Sequence, residues 1–180
     1  EENDKRRKTP NGRRYDPWHD ASMMMEGEVA EALSDLGRDR WIRAGGKPLM
    51  PIRAPEKSLW PEGLYATFEN VEVGIARTRS KHRDWKAIRE IEALFVQHIE
   101  RAQRFIYAES QYFASRKVGE AILKRMEEDD PPEILIVHPE HADGWLEQQA
   151  MDHARAELVR CIEQADHKGR FSIWTPFSGE

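Results

Sequence analysis

A carboxylate, an amide and a phenol follow one another at the end of a single apolar run. Residues 104–113 predict a strand, and its second half carries Glu109, Gln111 and Tyr112. We expect Glu109 and Gln111 at the carboxyl end of a central strand, beside an open polar surface, where such side chains can hold a polar substrate through hydrogen bonds. An ordinary edge strand with solvent-exposed polar side chains explains the same residue pattern equally well. The residues alone therefore leave both interpretations open.

A second carboxylate stands at the start of another apolar run. Asp20 follows His19 and directly precedes Ala21–Met25, for which a buried strand is the simplest prediction. A carboxylate at such a boundary costs free energy unless it is hydrogen-bonded or lies at an opening. We therefore expect Asp20 at the rim of the core. A helix-capping or turn aspartate is the structural alternative.

The remaining polar clusters favour no further chemistry. His138 and His141 have an H-x-x-H spacing, but a surface cluster explains it, and we predict no metal site. The basic segment 77–83 is interpreted as a solvated loop, with contact to a phosphate group as the alternative. No glycine-rich phosphate loop and no G-x-S-x-G motif occurs in the chain, so neither phosphate binding by such a loop nor serine-hydrolase chemistry has support.

The elements that must position these residues alternate along the chain. Apolar spacing predicts helices at 27–41, 86–102, 115–126 and 144–165, and strands at 71–76, 104–113, 134–137 and 171–174. Such alternation is typical of a parallel or mixed α/β sheet with helices on its faces. Sites in these sheets lie at the carboxyl ends of the strands, a rule that selects residues 109–112 and 138–141.

Composition narrows the class of protein. The 180 residues carry a net charge of -5, which argues against nucleic acid as a partner. No apolar run approaches the ~18 residues of a membrane span. This composition predicts a soluble protein. The chain begins with Glu1 rather than Met, so we expect the native N-terminus to be missing.

Five segments in this order resemble the bacterial phospholipase D and transphosphatidylase family. They are "RRYDPWHD" (13–20), "IARTRS" (75–80), "AIREIEALFVQHIERAQRFIYAESQYF" (87–113), "GWLEQQAMDHARAEL" (144–158) and "GRFSIWTP" (169–176). The catalytic signature of that family, H-x-K-x-x-x-x-D, occurs nowhere in the chain. The chain therefore resembles the segment between the two catalytic motifs of the family.

The resemblance implies a fold and a division of the chain. The expected fold is a phospholipase D-like mixed sheet flanked by helices, present as an incomplete fragment of a two-half α/β fold. Residues 1–43 would end the N-terminal half, 44–66 would be a linker, and 67–180 would form most of the C-terminal half. The four prolines of the linker segment agree with this division.

The resemblance also implies a reaction and roles for residues. Enzymes of the family cleave phospholipids through a covalent phosphohistidine without a cofactor, by hydrolysis or by transfer to an alcohol. Asp20 would orient a catalytic histidine outside this chain, and Glu109, Gln111 and Tyr112 would bind substrate. Ser110 stands where the family commonly has Asn.

The implied partners are a phospholipid substrate, flanking segments of the same protein and, by expectation, a membrane surface. The implied location is the bacterial cytoplasm or the membrane periphery. This chain alone is expected to be inactive because it lacks the nucleophile. The alternative function is a non-catalytic α/β binding module derived from the same family.

Overall fold

The computed structural model describes residues 6, 8–14, 20–139 and 145–176. Within these ranges the chain is α/β, as predicted, with four helices and two small sheets. The helices are α1 (Glu28–Arg43), α2 (Glu90–Arg101), α3 (Arg116–Met126) and α4 (Trp145–Ala165). The strands are β1 (Thr78–Arg79), β2 (Ile88–Arg89), β3 (Phe105–Glu109), β4 (Glu133–Val137) and β5 (Phe171–Trp174). None of these four helices combines the length and apolar character needed to cross a bilayer.

The chain divides into two compact units, Glu1–Val73 and Gly74–Glu180. The first unit contains α1 and an extended segment without helix or strand. The second contains the remaining elements. All the buried hydrophobic side chains of the core among the described residues lie in the second unit, namely Ile99, Phe113, Ala121, Ile122, Met126, Ile134, Ile136 and Ile162.

The main sheet has three parallel strands in the order β3-β4-β5. Each strand is joined to its neighbour by one helix, and right-handed crossovers in the same direction place both helices on the same face. The core confirms this arrangement, because the alternate residues Ile134 and Ile136 pack with Ile122 of α3 and Ile162 of α4. The helix α2 packs against α3 and adds Ile99 to the same layer.

Close helix packing on this face depends on one glycine. Gly119 of α3 is buried, and a Cβ atom at this position would overlap the side chain of Leu158 in α4. The start of α3 is fixed as predicted, because the Ser115 hydroxyl accepts a hydrogen bond from the backbone N–H of Val118 at 3.5 Å.

Strand β3 lies at an edge of the sheet, since its one ladder among the described residues is to β4. The expectation of a central strand ending at Glu109 is therefore wrong for the described sheet. The strand is also shorter than predicted, because pairing with β4 ends at the Glu109–Val137 pair.

Two predicted strands are absent. Ala21–Met25 and residues 71–76 form no ladder among the described residues. In the first segment Met23 is 85% exposed, so its apolar run is not buried as expected. In the second, Val71, Glu72 and Val73 are all exposed, so the alternating apolar pattern buries no face of the segment.

The predicted helix at 86–102 begins four residues later than expected. Ile88 and Arg89 pair with Arg79 and Thr78 in the antiparallel sheet β1-β2, so their backbone is committed to a strand before α2 begins.

Residues 44–66 contain no helix or strand, as their prolines predict. The segment is nevertheless tied to the start of α1. The Glu26 carboxylate accepts hydrogen bonds from the Ser58 hydroxyl at 2.8 Å and from the Leu59 backbone N–H at 2.7 Å. The proposed division at 43 and 66 stays a prediction.

Candidate functional site

The carboxyl ends of the three parallel strands meet at one edge of the main sheet. The ladders continue one residue past the strands, because the N–H of Ser110 donates to the Val137 carbonyl at 3.0 Å and the N–H of His138 donates to the Trp174 carbonyl at 2.8 Å. Glu109, Val137 and Trp174 are therefore in register. This edge is the one that the strand-end rule selects from the sequence.

Glu109 ends β3 with an exposed and oriented carboxylate. The Tyr107 hydroxyl donates a hydrogen bond of 2.8 Å to Glu109 Oε1, since residues two apart on a strand share a face. This hydrogen bond to a carboxylate raises the pKa of Tyr107, and burial and the negative charge of Glu109 act in the same direction. The phenol thus stays protonated and holds the carboxylate in one position.

Gln111 and Tyr112 lie in the loop that follows β3. Gln111 is exposed and Tyr112 is 41% exposed, while the next residue, Phe113, is buried at 5% exposure. Burial of Phe113 anchors the loop in the core, so the two preceding polar side chains stay beside the strand end. Their role in binding a substrate remains a prediction.

Asp20 lies in the first unit and is exposed. Its Oδ1 accepts a hydrogen bond of 2.8 Å from the backbone N–H of Ala21. The buried strand expected directly after it, Ala21–Met25, is not formed. Its neighbour His19 lies outside the described residues. The role of Asp20 in orienting a catalytic histidine remains a prediction.

His138 follows β4 and is buried at 3% exposure, which corrects its interpretation as part of a surface cluster. Nη1 of Arg155, on α4, lies 2.8 Å from Nδ1 and 3.2 Å from Nε2 of this ring. Nδ1 also contacts the carbonyl oxygen of Pro139. If Nδ1–H donates to that carbonyl, Nε2 accepts from the guanidinium, and both nitrogens of a neutral imidazole are used. His141 lies outside the described residues.

Glu109 and His138 lie on opposite sides of the sheet. Side chains alternate along strands, and His138 continues the helix-covered row of Ile134 and Ile136, whereas Glu109 continues the opposite row of Tyr107. The exposed carboxylate can therefore contact a ligand at the open face. The histidine contributes to the junction between β4 and α4 and has no access to a ligand at that face.

Two residues that hold Glu109 and His138 in place, Tyr107 and Arg155, were not identified from the sequence. Tyr107 could have been found from its two-residue spacing to Glu109 on a predicted strand. Arg155 gave no comparable signal, because it lies beside the apolar stripe of α4 and its partner is distant in sequence.

The described residues hold no preformed metal site at this edge. Within the described ranges, no group of three His, Cys, Asp or Glu side chains is placed to hold a metal ion. An open cavity of about 800 Å³ lies in the first unit, between the start of α1 and residues 52–61. None of the predicted site residues lines it.

Comparison with known proteins finds similarity to plant phospholipases D. The chain is 27% identical over 128 residues to phospholipase D alpha 1 from Zea mays and also to that from Ricinus communis, which covers 58% of this chain and 16% of each plant protein. It is 25% identical over 151 residues to phospholipase D alpha 1 from Oryza sativa subsp. japonica, which covers 68% of this chain and 18% of that protein. No family model and no solved structure matches the chain.

The chain thus spans about a sixth of the length of the curated relatives that it matches. These relatives are plant proteins, so the bacterial branch of the resemblance stays an expectation. The matches support a relationship between this chain and the phospholipase D family.

Proposed function

We propose that this chain is part of a phospholipase D-type phosphodiesterase or phosphatidyltransferase that acts on phospholipids through a covalent phosphohistidine. The observation that carries the proposal is the similarity to plant phospholipase D alpha 1 over more than half of the chain. The resemblance of five ordered segments to the family supports it independently of any single motif.

The nucleophile of this reaction would come from outside the chain. The chain has no H-x-K-x-x-x-x-D sequence, and its buried His138 is engaged by Arg155. One histidine of the parent protein would attack phosphorus and a second would protonate the leaving alcohol. Asp20 would accept a hydrogen bond from one of these imidazoles and so fix its tautomer.

The carboxyl edge of the sheet would contribute substrate contacts. The Glu109 carboxylate can accept hydrogen bonds from a headgroup ammonium or hydroxyl, and Tyr107 already holds it in place. The Gln111 amide and the Tyr112 phenol supply donors and acceptors from the adjacent loop.

The first experiment measures whether the 180-residue chain has activity by itself. We expect the 180-residue chain alone to release neither choline from phosphatidylcholine nor product from a chromogenic phosphodiester above background, because the nucleophile is absent. The gene sequence on either side should encode H-x-K-x-x-x-x-D motifs. Turnover that survives repurification and has its own pH profile would contradict this expectation.

The second experiment tests Asp20. In the parent protein, Asp20→Asn should lower kcat by about 10²–10⁴-fold while the melting temperature changes little, because the amide keeps the shape but loses the charge. An unchanged kcat would refute the orienting role. Equal loss of activity and folding would assign Asp20 to a turn or cap.

A non-catalytic binding module derived from the family is the second candidate, and the missing catalytic motif favours it. Flanking sequence without H-x-K-x-x-x-x-D motifs, together with specific binding of a phospholipid by the chain, would support the module over the enzyme.

A further inference from the structure

A small hairpin precedes α2 in the second unit. Strands β1 and β2 pair antiparallel, and His82 and Trp85 close the turn between them. The N–H of His82 donates to the Trp85 carbonyl at 3.1 Å, and the reverse hydrogen bond is 2.9 Å. Arg83, within this turn, has a left-handed φ of 51°. The tip of the hairpin is therefore a defined turn, which the hydrogen-bonded pair holds in shape.

Positive charge is concentrated on this hairpin. Six of the thirteen residues from 77 to 89 are Lys or Arg, and Asp84 is the one acid among them, in a chain whose net charge is -5. At the base, Arg77 is compensated by Glu90, to which it donates two side-chain hydrogen bonds of 2.8 and 2.7 Å. That pairing lowers the pKa of Glu90.

The tip is different from the base. Lys81, Arg83 and Lys86 are exposed, and none of them forms an ion pair within the part of the chain that the structure describes. Beside them the Arg79 guanidinium lies 5.6 Å from the ring centre of Trp85, which is 37% exposed. Arg79 also donates to the Lys86 carbonyl at 2.9 Å, which holds the two hairpin arms together.

We propose that the hairpin tip binds the anionic surface of a phospholipid bilayer, with Lys81, Arg83 and Lys86 at the phosphate level and Trp85 at the interface. Basic residues next to an anionic leaflet each contribute to binding, and tryptophan prefers the headgroup region. The acidic remainder of the chain is screened beyond about 8 Å at physiological salt, so a contact confined to the tip experiences the local charge.

Single-stranded nucleic acid fits the hairpin less well. A polyanion lies along a charged groove and stacks its bases on several aromatic rings. Here the uncompensated charge is confined to one turn, and the hairpin offers a single ring that is already covered on one side by Arg79. The binding proposal is independent of the catalytic role proposed above, because it requires no turnover.

The experiment is sedimentation of the 180-residue chain with vesicles of phosphatidylcholine, with and without phosphatidylserine. The test variant combines Lys81→Gln, Arg83→Asn and Lys86→Gln, with asparagine chosen at position 83 because it tolerates the left-handed backbone. The matched control combines Lys117→Gln, Lys124→Gln and Lys168→Gln, which removes the same charge from other exposed positions. Thermal unfolding checks that both triple variants remain folded.

We expect binding to require phosphatidylserine and to weaken about five-fold for each charge removed at the tip, hence about a hundred-fold in the test variant. The control should bind as the unaltered chain does, and Trp85→Ala should bind more weakly than the unaltered chain.

Three results would overturn the proposal. The first is no sedimentation with anionic vesicles, or equal losses in the two triple variants. The second is displacement by inorganic phosphate far beyond that by chloride at equal ionic strength, which would indicate a discrete anion site. The third is tighter binding of a single-stranded RNA oligonucleotide than of the vesicles.

Discussion

The two faces of the three-stranded sheet have opposite environments. On one face, Ile134 and Ile136 are 1% and 2% exposed beneath the helices. On the other, Phe105, Tyr107 and Trp174 are 67%, 57% and 60% exposed. Both faces belong to the same strands, so the difference comes from the connections: consecutive right-handed crossovers place the helices on one side.

This difference separates the side chains that stabilise the fold from those that are exposed to a ligand. Residues of the helix-covered face contribute buried apolar area, and their loss leaves cavities. The exposed side chains of the open face, such as Phe105 and Tyr107, contribute less buried area, and the same face carries the oriented Glu109 carboxylate at the strand ends. Substitutions on the two faces should therefore affect different measurements.

The largest expected effect is a loss of stability on the covered face. Ile136→Ala should lower the free energy of unfolding by about 2–5 kcal/mol, because it empties a fully packed site. Phe105→Ala on the open face should change it by less than about 0.5 kcal/mol. Urea denaturation of both variants measures this. Equal losses would mean that the open face is buried in solution.

A smaller effect is expected where the chain turns from α4 into β5. The Asp166 carboxylate accepts hydrogen bonds from the backbone N–H groups of Arg170 at 2.8 Å and Phe171 at 2.9 Å. Partial burial by itself raises the pKa of Asp166, but these N–H groups outweigh it and hold the pKa below its ordinary value.

Because the folded pKa is the lower one, the ionised carboxylate stabilises the fold above about pH 4, and this contribution is lost as the pH falls through the lowered pKa. Asp166→Asn should cost about 0.5–2 kcal/mol at pH 7 and should weaken the fall in stability at acid pH. Urea denaturation at a series of pH values measures both. A pH dependence identical to that of the unaltered chain would contradict this role.

The smallest effect concerns the open face alone. Glu109→Gln should lower the pKa of Tyr107 toward its ordinary value, since the charged acceptor that stabilises the phenol is removed. Tyrosine absorbance during alkaline titration, compared with that of Tyr107→Phe, measures the change. If the tyrosine titration is the same in Glu109→Gln and the unaltered chain, the two side chains do not interact in solution.

Much of the second unit could be predicted from its sequence. The apolar runs of β4 and β5, the stripe of α4 and the Ser115 cap each depend on local spacing that the fold preserves. The alternation of strands and helices predicted that the site would lie at the carboxyl ends of the strands. This rule placed Glu109 correctly at the end of a strand.

The failures share a physical cause. Ala21–Met25 and residues 71–76 have local patterns typical of strands, but a strand requires a partner that local pattern does not supply. In the same way, the burial of His138 depends on Arg155, seventeen residues away on another element. The sheet order that places β3 at an edge is likewise a property of long-range pairing.

The measurement that tests the account most directly compares two glutamates of the open face in the proposed parent phospholipase D. Glu109 lies at the carboxyl ends of the strands, and Glu133, also exposed, lies at the opposite end of the same face. Losing a hydrogen bond to a charged group costs about 1.5–3 kcal/mol, which corresponds to a factor of about 10–100.

We therefore predict that Glu109→Gln lowers kcat/KM for a phospholipid by about 10–100-fold with an unchanged melting temperature, and that Glu133→Gln leaves kcat/KM unaltered. Equal values of kcat/KM for the two variants would contradict the proposal that the carboxyl edge binds the substrate.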